Sequence, residues 1–435
     1  MSDKIEYIEM RFTDILGQLK AMTVPCRPAD TLDEVAKDSA LQAGTSCDGS
    51  SVAGLASVES SDLRLTPDPS SLIELPLRAQ RTAAVMCFIH RKSSARDSKE
   101  YYPLDTRGRL HKVCEDLLPG KLQLKVKVEP EFNLIEDDGE PFDYAQYADT
   151  HPKNPGMDVL LDIASSLREV GISPRVIHHE VGMSQQEIEL DFDDVRKMAD
   201  GILIFKNLTR TVARNQGLNV TFMPKPYPGS AGNGLHCHIQ LWDGDKNLFG
   251  EDGQAELSEK AKMFVAGLLE HAPAITALAN PSVNSYKRLV PHHEAPVYIT
   301  WGRMNRTALV RVPMFESSEK VAVEFRSGDS MSNPYLLFIS IIAAGMDGVK
   351  RELTPPPERG EDIFDMTDEE REKLGITTLP TTLGEALDAL ETDDVIVSAI
   401  GNEIAKSFIA LKRKEWEDYI SNAVTDWEWE LYRDR

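Results

Sequence analysis

Alternation of apolar and polar residues marks several strands in the first third of the chain. The segments 5–15 (IEYIEMRFTDI), 83–90 (AAVMCFIH) and 121–135 (KLQLKVKVEPEFNLI) place apolar residues at or near every second position. Successive side chains of a strand point to opposite faces, so this pattern predicts sheets with one face against a core.

Helical spacing is prominent further along the chain. Apolar residues recur every three or four positions in 158–172, in 192–216 and in the long stretch 257–279, and the last hundred residues are mainly helical. A shorter helix is predicted over 28–38. Capping pairs predict helix starts at Thr31/Glu34, Thr367/Glu370 and Thr382/Glu385.

Polar segments divide these elements. Residues 47–71 are rich in Ser, Gly, Asp and Pro and predict a loop-rich region, and the polar stretch 91–109 predicts a boundary before a second, larger domain. The chain of 435 residues is long enough for two or three domains with a large buried core. From about residue 104 onward the pattern is mixed.

Charge and cysteine content exclude several classes of protein. The net charge of −23, from 71 acidic and 48 basic residues, disfavours nucleic acid and anionic membranes as partners, since both require a basic surface. The five cysteines include no CxxC pair, which disfavours a disulfide framework and a zinc–thiolate site. No apolar run of membrane-spanning length and no signal pattern occurs, so we expect a cytoplasmic protein.

Candidate metal ligands lie on strand-like segments. The motif VEPEF places two carboxylates two positions apart on one face of a strand, and the segment GLHCH does the same with His236 and His238. A set dominated by carboxylate oxygens suits Mg²⁺ or Mn²⁺ better than structural zinc. The candidate ligands are Glu129, Glu131, Glu180, Glu187, His236 and Glu324.

Arginines accompany these carboxylates. Arg288, Arg303, Arg306 and Arg311 are suited to bidentate binding of carboxylate or phosphate, and Arg326 follows Glu324 by two positions. Divalent cations and arginines without a GxxxxGK[ST] loop indicate phosphoryl transfer on a scaffold other than the P-loop. From the residues alone, solvated faces, surface ion pairs and a two-metal hydrolase stay open as alternatives.

The ordered motifs resemble those of one family, glutamine synthetase of type I, over nearly the whole chain. They are CDGSS (47–51), SSDLRLTPDPSS (60–71), VEPEF (128–132), HHEV (178–181), FMPKP (222–226), GLHCH (234–238), NSYKRLVPHHEAPVY (284–298), NRTALVRVP (305–313) and EFRSGDSMSNPYL (324–336). The resemblance implies an α+β fold with an N-terminal β-grasp-like domain over 1–100. It also implies a catalytic domain over 101–435, with an antiparallel sheet flanked by helices. It further implies a homo-oligomer, typically a dodecamer of two hexameric rings, with active sites between subunits.

The resemblance also implies a reaction and its residues. ATP would phosphorylate the γ-carboxylate of glutamate, and ammonia or a small amine would then displace phosphate. Two to three Mg²⁺ or Mn²⁺ ions would bind, one held by Glu131, Glu180 and Glu187 and another by Glu129, His236 and Glu324. The implied roles are catalysis for Asp48 (from the neighbouring subunit), Glu294 and Arg306; substrate binding for Arg288, Gly232, Arg306 and Arg326; and ATP binding for His238, Arg311 and Phe192.

Three departures from the family pattern concern the substrate. Ala231 replaces an asparagine that helps to bind glutamate, Gly156 stands where we expect a tyrosine of the amine site, and His292–His293 replaces Gly-Tyr before Glu294. An opened pocket would suit methylamine, another alkylamine or a polyamine. The retained Asp48 favours ammonia, so ammonia is the expected acceptor.

Two further expectations concern regulation and loss of activity. Residues 351–385 contain no tyrosine and the position of a feedback arginine is Ser57, so neither adenylylation nor glutamine feedback is expected in the usual form. A catalytically silent structural homologue is the remaining alternative. The complete candidate ligand set argues against it, because unpaired carboxylates are costly to bury.

Overall fold

The structure of the protein, a computed structural model, describes residues 3–56, 61–93, 100–251, 255–291 and 295–435. The described strands are Ile5–Thr13 (β1), Leu19–Ala29 (β2), Thr45–Asp48 (β3), Asp62–Pro67 (β4), Ile73–Glu74 (β5), Thr82–Arg91 (β6), Leu122–Ile135 (β7), Pro174–His179 (β8), Gln185–Asp194 (β9), Asn219–Thr221 (β10), Leu235–Asp243 (β11), Lys246–Asn247 (β12), Tyr298–Arg303 (β13), Ala308–Val312 (β14) and Val323–Phe325 (β15).

Helices separate these strands, and α-helices also follow the last described strand, β15. They are Leu32–Val35 (α1), Ser39–Ala43 (α2), Thr106–Leu117 (α3), Met157–Glu169 (α4), Val195–Asn215 (α5), Glu259–Glu270 (α6), Ala272–Ala279 (α7), Ser285–Arg288 (α8), Pro334–Lys350 (α9), Asp368–Lys373 (α10), Leu383–Thr392 (α11), Asp394–Ile400 (α12), Asn402–Asn422 (α13) and Asp426–Tyr432 (α14). Within the described ranges, no helix is both long enough and apolar enough to cross a membrane.

The N-terminal residues form a six-stranded sheet in the order β2-β1-β6-β4-β3, with β5 paired to β6. Strands β1 and β6 run parallel and the other pairs run antiparallel. Alternate residues of β1, including Ile8 and Met10, are fully buried, as are Val85 and Ile89 on β6. The sheet therefore covers a core of its own, as the alternation in the sequence predicted.

The larger sheet has nine strands in the order β13-β14-β15-β11-β7-β9-β8, with β10 paired to β7 and β12 to β11. The pairs are antiparallel except β13 with β14. Helices α5 and α9 lie in the same core, and α9 is apolar almost all round, as expected for a helix with neighbours on every side. The predicted α+β class is confirmed.

Buried polar groups join the two sheets. The guanidinium of Arg107 pairs with Asp68 at 2.7 Å and with Asp200 at 2.8 Å, and it lies 4.3 Å from the ring centroid of Phe88. Asp68 precedes β5 near the small sheet, whereas Asp200 belongs to α5 beneath the large sheet. A buried guanidinium is tolerated in a core only when it is paired with carboxylates. The Arg107 contacts therefore hold the small sheet against the helix beneath the large sheet.

Several predicted elements differ from the structure. The predicted loop-rich stretch 47–71 contains strand β4, because Leu63 and Leu65 are buried against β6. The single long helix expected over 257–279 is two helices, α6 and α7; Pro273 lies in the first turn of α7, where its missing N–H is tolerated. The stretch 192–216 begins as strand β9 and turns helical only at Val195.

Of the three capping pairs, one is a complete capping box. Thr367 and Glu370 each bond the backbone of the other residue. Thr31 and Thr382 cap their helices as predicted, but the glutamates bond elsewhere. Glu34 accepts from the backbone N–H of Asp30, and Glu385 from that of Thr381.

Candidate functional site

Strand pairing brings the predicted ligands together on one face of the nine-stranded sheet. Glu131 on β7 lies opposite Glu187 on β9, and Glu129 on β7 lies opposite His236 on β11. Directly opposed side chains in antiparallel strands have Cβ atoms about 4.5–5.5 Å apart. Because residues two apart share a face, the Glu-x-Glu spacing on β7 joins both pairs into one row.

The row continues outward along neighbouring strands. His238 on β11 lies opposite Glu324 on β15, and Glu324 lies opposite Arg311 on β14. On the other side, His178 on β8 lies opposite Glu187 on β9. All of these side chains except His238 border a cavity of about 700 Å³, which is also lined by further arginines and by the turn before β11.

A first cluster surrounds Glu129. His238 Nε2 lies 2.8 Å from Glu129 Oε1, and His236 Nδ1 lies 3.4 Å from Glu129 Oε2. His236 Nδ1 is also 3.8 Å from Glu324 Oε1. Burial acts to raise the pKa of Glu129, but the hydrogen bonds with His236 and His238 outweigh it and hold the pKa well below its usual range. The cluster therefore presents ionised carboxylates beside imidazole.

A second cluster has an excess of negative charge. Burial, together with the neighbouring carboxylates of Glu187 and Glu180, raises the pKa of Glu131 to about 8. Burial likewise raises the pKa of Glu187 to about 7. The hydrogen bond with Glu187 raises the pKa of His178 to about 9. In the absence of a cation, protons must offset the repulsion among the three carboxylates.

The donor chemistry of both clusters fits divalent cations. Glu129, His238 and Glu324 can place ligand atoms within 4.8 Å of one another, and so can His178, Glu180 and Glu187. Oxygen-rich sets of this kind suit Mg²⁺ or Mn²⁺, and a cation in the second cluster would replace the protons that Glu131 and Glu187 otherwise require. The described residues therefore fit the implied ions.

The glycine-rich turn before β11 lets backbone approach both a ligand and an arginine. A Cβ on Gly232 would lie 2.9 Å from Arg288 Cγ, and a Cβ on Gly234 would lie 2.7 Å from Arg288 Nη2 and 3.3 Å from Glu131 Oε1. The backbone N–H of Gly234 donates to Glu131 Oε2 at 2.8 Å. The buried guanidinium of Arg288 is anchored by a bond to the carbonyl of Ser327 at 2.7 Å.

Three more arginines line the cavity. Arg311 and Arg326 both pair with Glu324, the latter at 3.2 Å, and Arg326 also donates to the carbonyl of Arg306. Arg306 itself borders the cavity. Cationic side chains thus line the same cavity as the carboxylates and are suited to carboxylate or phosphate groups. An anion in the cavity would have both arginines and candidate cation ligands within the lining.

Comparison with known families decides the assignment. The model of the glutamine synthetase catalytic domain matches residues 103–432, and that of the glutamine synthetase β-grasp domain matches residues 4–92. The chain belongs to the glutamine synthetase family. As a member of this family it is an ATP-dependent glutamate–amine ligase. The predicted family, enzyme class and fold are confirmed.

Relatives and solved structures align with this chain along nearly its whole length. The glutamine synthetase of Pyrococcus furiosus is 42% identical over 445 residues, covering 99% of this chain and 97% of the relative. A GmaS/ADP complex superposes with a TM-score of 0.87 at 33% identity, covering 100% of this chain and 98% of that chain. Plasmodium falciparum glutamine synthetase superposes with a TM-score of 0.84 at 25% identity, covering 99% and 96%.

In the described part of this chain, most of the predicted site residues meet. The described residues that border the cavity include Glu129, Glu131, Glu180, Glu187, Gly232, His236, Arg288, Arg306, Arg311, Glu324 and Arg326. His238 touches the cluster through Glu129 from just behind the cavity wall. Phe192 lies on β9 and is half-buried, but it is not among the described cavity-lining residues.

One predicted catalytic residue, Asp48, stands apart from the cavity. Asp48 ends β3 in the small sheet and is exposed. Its Oδ1 accepts hydrogen bonds from the Ser50 backbone N–H at 3.0 Å and from the Ser50 hydroxyl at 2.7 Å. The Ser50 hydrogen bonds lower the pKa of Asp48, so the carboxylate is ionised and available to a second molecule. Glu294, with His292, His293 and Ser57, lies outside the described residues.

The interpretation of Gly156 as the opening of the amine site is wrong. Gly156 is buried at the start of α4 and is not among the described cavity-lining residues. A Cβ there would lie 2.9 Å from Leu134 Cδ1, which leaves no room for a tyrosine. The tyrosine that does border the cavity is Tyr147, whose ring centroid lies 5.4 Å from that of His178.

Sequence reasoning also missed residues that support the ligands. Gln185 Nε2 donates to Glu131 Oε2 at 2.9 Å and to the carbonyl of Gly232 at 3.0 Å, so one amide fixes both a carboxylate and the turn. Lys127 is buried beside Glu129. Both precede a predicted ligand by two positions, and alternation along β7 already placed Lys127 on the ligand face.

A third group of acidic and histidine side chains lies away from the cavity. His271 Nδ1 is 2.6 Å from Asp393 Oδ2, and its Nε2 is 3.2 Å from Asp347 Oδ2. Arg351 pairs with Asp347 and with Glu270. Since both ring nitrogens are already occupied, this group is an ion-pair network that ties the junction of α6 and α7 to α9 and α12.

Proposed function

We propose that this chain condenses L-glutamate with ammonia to give L-glutamine, with conversion of ATP to ADP and phosphate, through γ-glutamyl phosphate. The observation that carries the proposal is the cavity itself, in which two carboxylate clusters face Arg288, Arg306 and Arg326. Phosphoryl transfer between two anions depends on positioning and on positive charge. The ADP in the similar GmaS/ADP complex is consistent with an adenine nucleotide as co-substrate.

The carboxylate clusters would hold the divalent cations. Glu131, Glu180 and Glu187 would bind one Mg²⁺ or Mn²⁺, and Glu129, His236 and Glu324 would bind another. His178 and His238 adjoin these sets and compete for the same carboxylates in the cation-free protein. When bound, two to three cations neutralise the polyphosphate and the charge that develops during transfer.

Arginines would orient the two anionic substrates. Arg288 would bind the α-carboxylate of glutamate beside the Gly232 turn, whose backbone packs closely against this arginine. Arg306 and Arg326 would contact the transferring phosphoryl group. On the nucleotide side, His238, Arg311 and Phe192 would contact ATP. A γ-carboxylate oxygen then attacks the γ-phosphorus, and ADP leaves.

The second step would need groups from outside the described cavity. Asp48 of a second copy would attract ammonium and accept its proton, and Glu294 would shield the acyl phosphate from water. Ammonia then attacks the acyl carbon, and phosphate leaves with the former γ-carboxylate oxygen. Because Asp48 is exposed in its own chain, this role supports a homo-oligomer, which we propose to be a dodecamer of two hexameric rings.

Tyr147 supports ammonia as the acceptor. Its ring borders the cavity beside His178, and an aromatic wall there leaves less room for an alkyl group. Ala231 also borders the cavity and favours the second candidate, a γ-glutamylamide synthetase acting on methylamine, another alkylamine or a polyamine. The two candidates share the metal and arginine groups and differ only in the amine.

Competing acceptors distinguish these candidates. Phosphate release from ATP and Mg²⁺ with glutamate would be measured with ammonia, methylamine, ethylamine and putrescine, and the products identified by mass. We expect the highest kcat/KM with ammonia. An organic amine that exceeds ammonia tenfold, about 1.4 kcal/mol in the transition state, would reject ammonia in favour of the second candidate. A catalytically silent homologue would release no phosphate with any of the acceptors.

A further inference from the structure

A buried lysine lies between two carboxylates at the edge of the first cluster. Lys127 Nζ donates to Glu129 Oε1 at 2.6 Å and to Glu189 Oε2 at 2.8 Å. Its side chain is only 5% exposed. None of the family motifs described above includes Lys127, which precedes VEPEF by one position.

The sheet register explains why a cation is needed there. The pairs Val128–Leu190 and Glu131–Glu187 place Glu189 directly opposite Glu129. Like charges in opposed positions destabilise a sheet, and burial increases their repulsion. The Lys127 ammonium bridges the two carboxylates, and Arg175 adds a more exposed contact to Glu189 at 3.1 Å.

The contacts divide the two oxygens of Glu129 between different partners. Oε1 lies within hydrogen-bond distance of Lys127 Nζ at 2.6 Å and of His238 Nε2 at 2.8 Å. Oε2 has a longer contact, 3.4 Å to His236 Nδ1. A carboxylate oxygen has about two acceptor positions, so Oε1 is saturated and Oε2 remains available.

We propose that Lys127 is a specificity-determining residue that makes Glu129 a one-oxygen ligand and so selects a small octahedral cation. Mg²⁺ takes single oxygens in a tight octahedron, whereas Ca²⁺ accepts six to eight oxygens and readily takes both oxygens of a carboxylate. While Lys127 occupies Oε1, Glu129 cannot offer both oxygens to a larger ion. This inference rests on the proposed function, because it takes Glu129 as a ligand.

The test compares cation selectivity in full-length variants. Calorimetric titration with MgCl₂ and with CaCl₂, without substrates, gives the ratio of Ca²⁺ to Mg²⁺ affinity. We expect Lys127→Met to raise this ratio at least tenfold at one class of sites and Lys127→Arg to keep it near the wild-type value. Arg175→Met is the matched control, since it removes the other cation on Glu189 and should leave the ratio unchanged. A Lys127→Met ratio within twofold of wild type, or an equal rise in Arg175→Met, would overturn the inference.

A second measurement uses the wild-type protein and so does not depend on folding of a variant. In a crystal structure with Mn²⁺, we expect Glu129 to bind the ion through Oε2 alone, with Lys127 still on Oε1. Bidentate Glu129, or a displaced Lys127, would contradict the inference. Failure of the wild-type protein to bind any divalent cation would instead contradict the proposed function.

Discussion

A methyl group at Gly234 should impair catalysis without unfolding the protein. A Cβ there would lie 2.7 Å from Arg288 Nη2, 3.1 Å from His236 Nε2 and 3.3 Å from Glu131 Oε1. Carbon and nitrogen pack at about 3.5 Å, so the guanidinium would have to move by roughly 0.8 Å. The nearest atoms are side-chain ends and the backbone of Gly234 has no positive φ, so we expect Gly234→Ala to fold.

The expected loss follows from that displacement. Arg288 is buried and anchored to a backbone carbonyl, so it has little freedom to recover its position. Misplacement of a binding group by about 1 Å can cost about a hundredfold in rate. We therefore expect kcat/KM for glutamate to fall by about ten- to a hundredfold, or about 1.4–2.7 kcal/mol.

The assay is steady-state phosphate release at varied glutamate, with circular dichroism to confirm folding. Gly360→Ala is the matched control, because a Cβ at Gly360 would meet no atom within 4 Å. We expect the control to match the wild type. If Gly234→Ala had a kcat/KM within twofold of the control, the close approach of the turn to Arg288 would have no catalytic consequence, and the reasoning would be refuted.

Three further predictions concern stability and the amine. Arg107→Met should lower the free energy of unfolding by about 3–5 kcal/mol in denaturant titration, because it leaves two carboxylates unpaired in a core; a loss below 1 kcal/mol would contradict this. Burial lowers the pKa of His271, but hydrogen bonds with Asp393 and Asp347 outweigh it and raise the pKa. Denaturant titration across pH would measure the stability lost in His271→Gln. This loss should be largest below about pH 6.5 and should shrink as pH rises through the raised pKa of His271. A loss that grows with pH would exclude this explanation. Tyr147→Ala should raise the ratio of kcat/KM for methylamine to that for ammonia about tenfold, measured by product mass, whereas an unchanged ratio would exclude the ring as a wall of the amine site.

The ligand set was predictable because its spacing follows strand periodicity. Glu129 and Glu131 are two apart on one strand, as are His236 and His238, and the sheet needs only to pair those strands. What the sequence could not supply was the register between strands. From the sequence alone, Lys127 is indistinguishable from a solvated strand residue. Only the pairing of β7 with β9, which places Glu189 opposite Glu129, shows why a cation is needed there.

The wrong predictions concern residues whose position in the fold does not follow from the local sequence pattern. Gly156 was placed in the amine site by counting positions across a stretch without strands, whereas the structure buries it against Leu134 and brings Tyr147 to the cavity. Asp48 lies apart from the cavity of its own chain, so the role proposed for it requires a second copy, as the resemblance implied. The break between α6 and α7 was missed because apolar spacing continues across His271.

The central claim is that this cavity joins glutamate to an amine through a γ-glutamyl phosphate. Glutamate labelled with ¹⁸O in its γ-carboxylate, incubated with ATP, Mg²⁺ and ammonia, tests it most directly. One labelled oxygen should appear in each phosphate released, together with an equal amount of glutamine, as measured by mass spectrometry. Unlabelled phosphate would show that water attacks ATP instead, and the account of the site as a ligase would be contradicted.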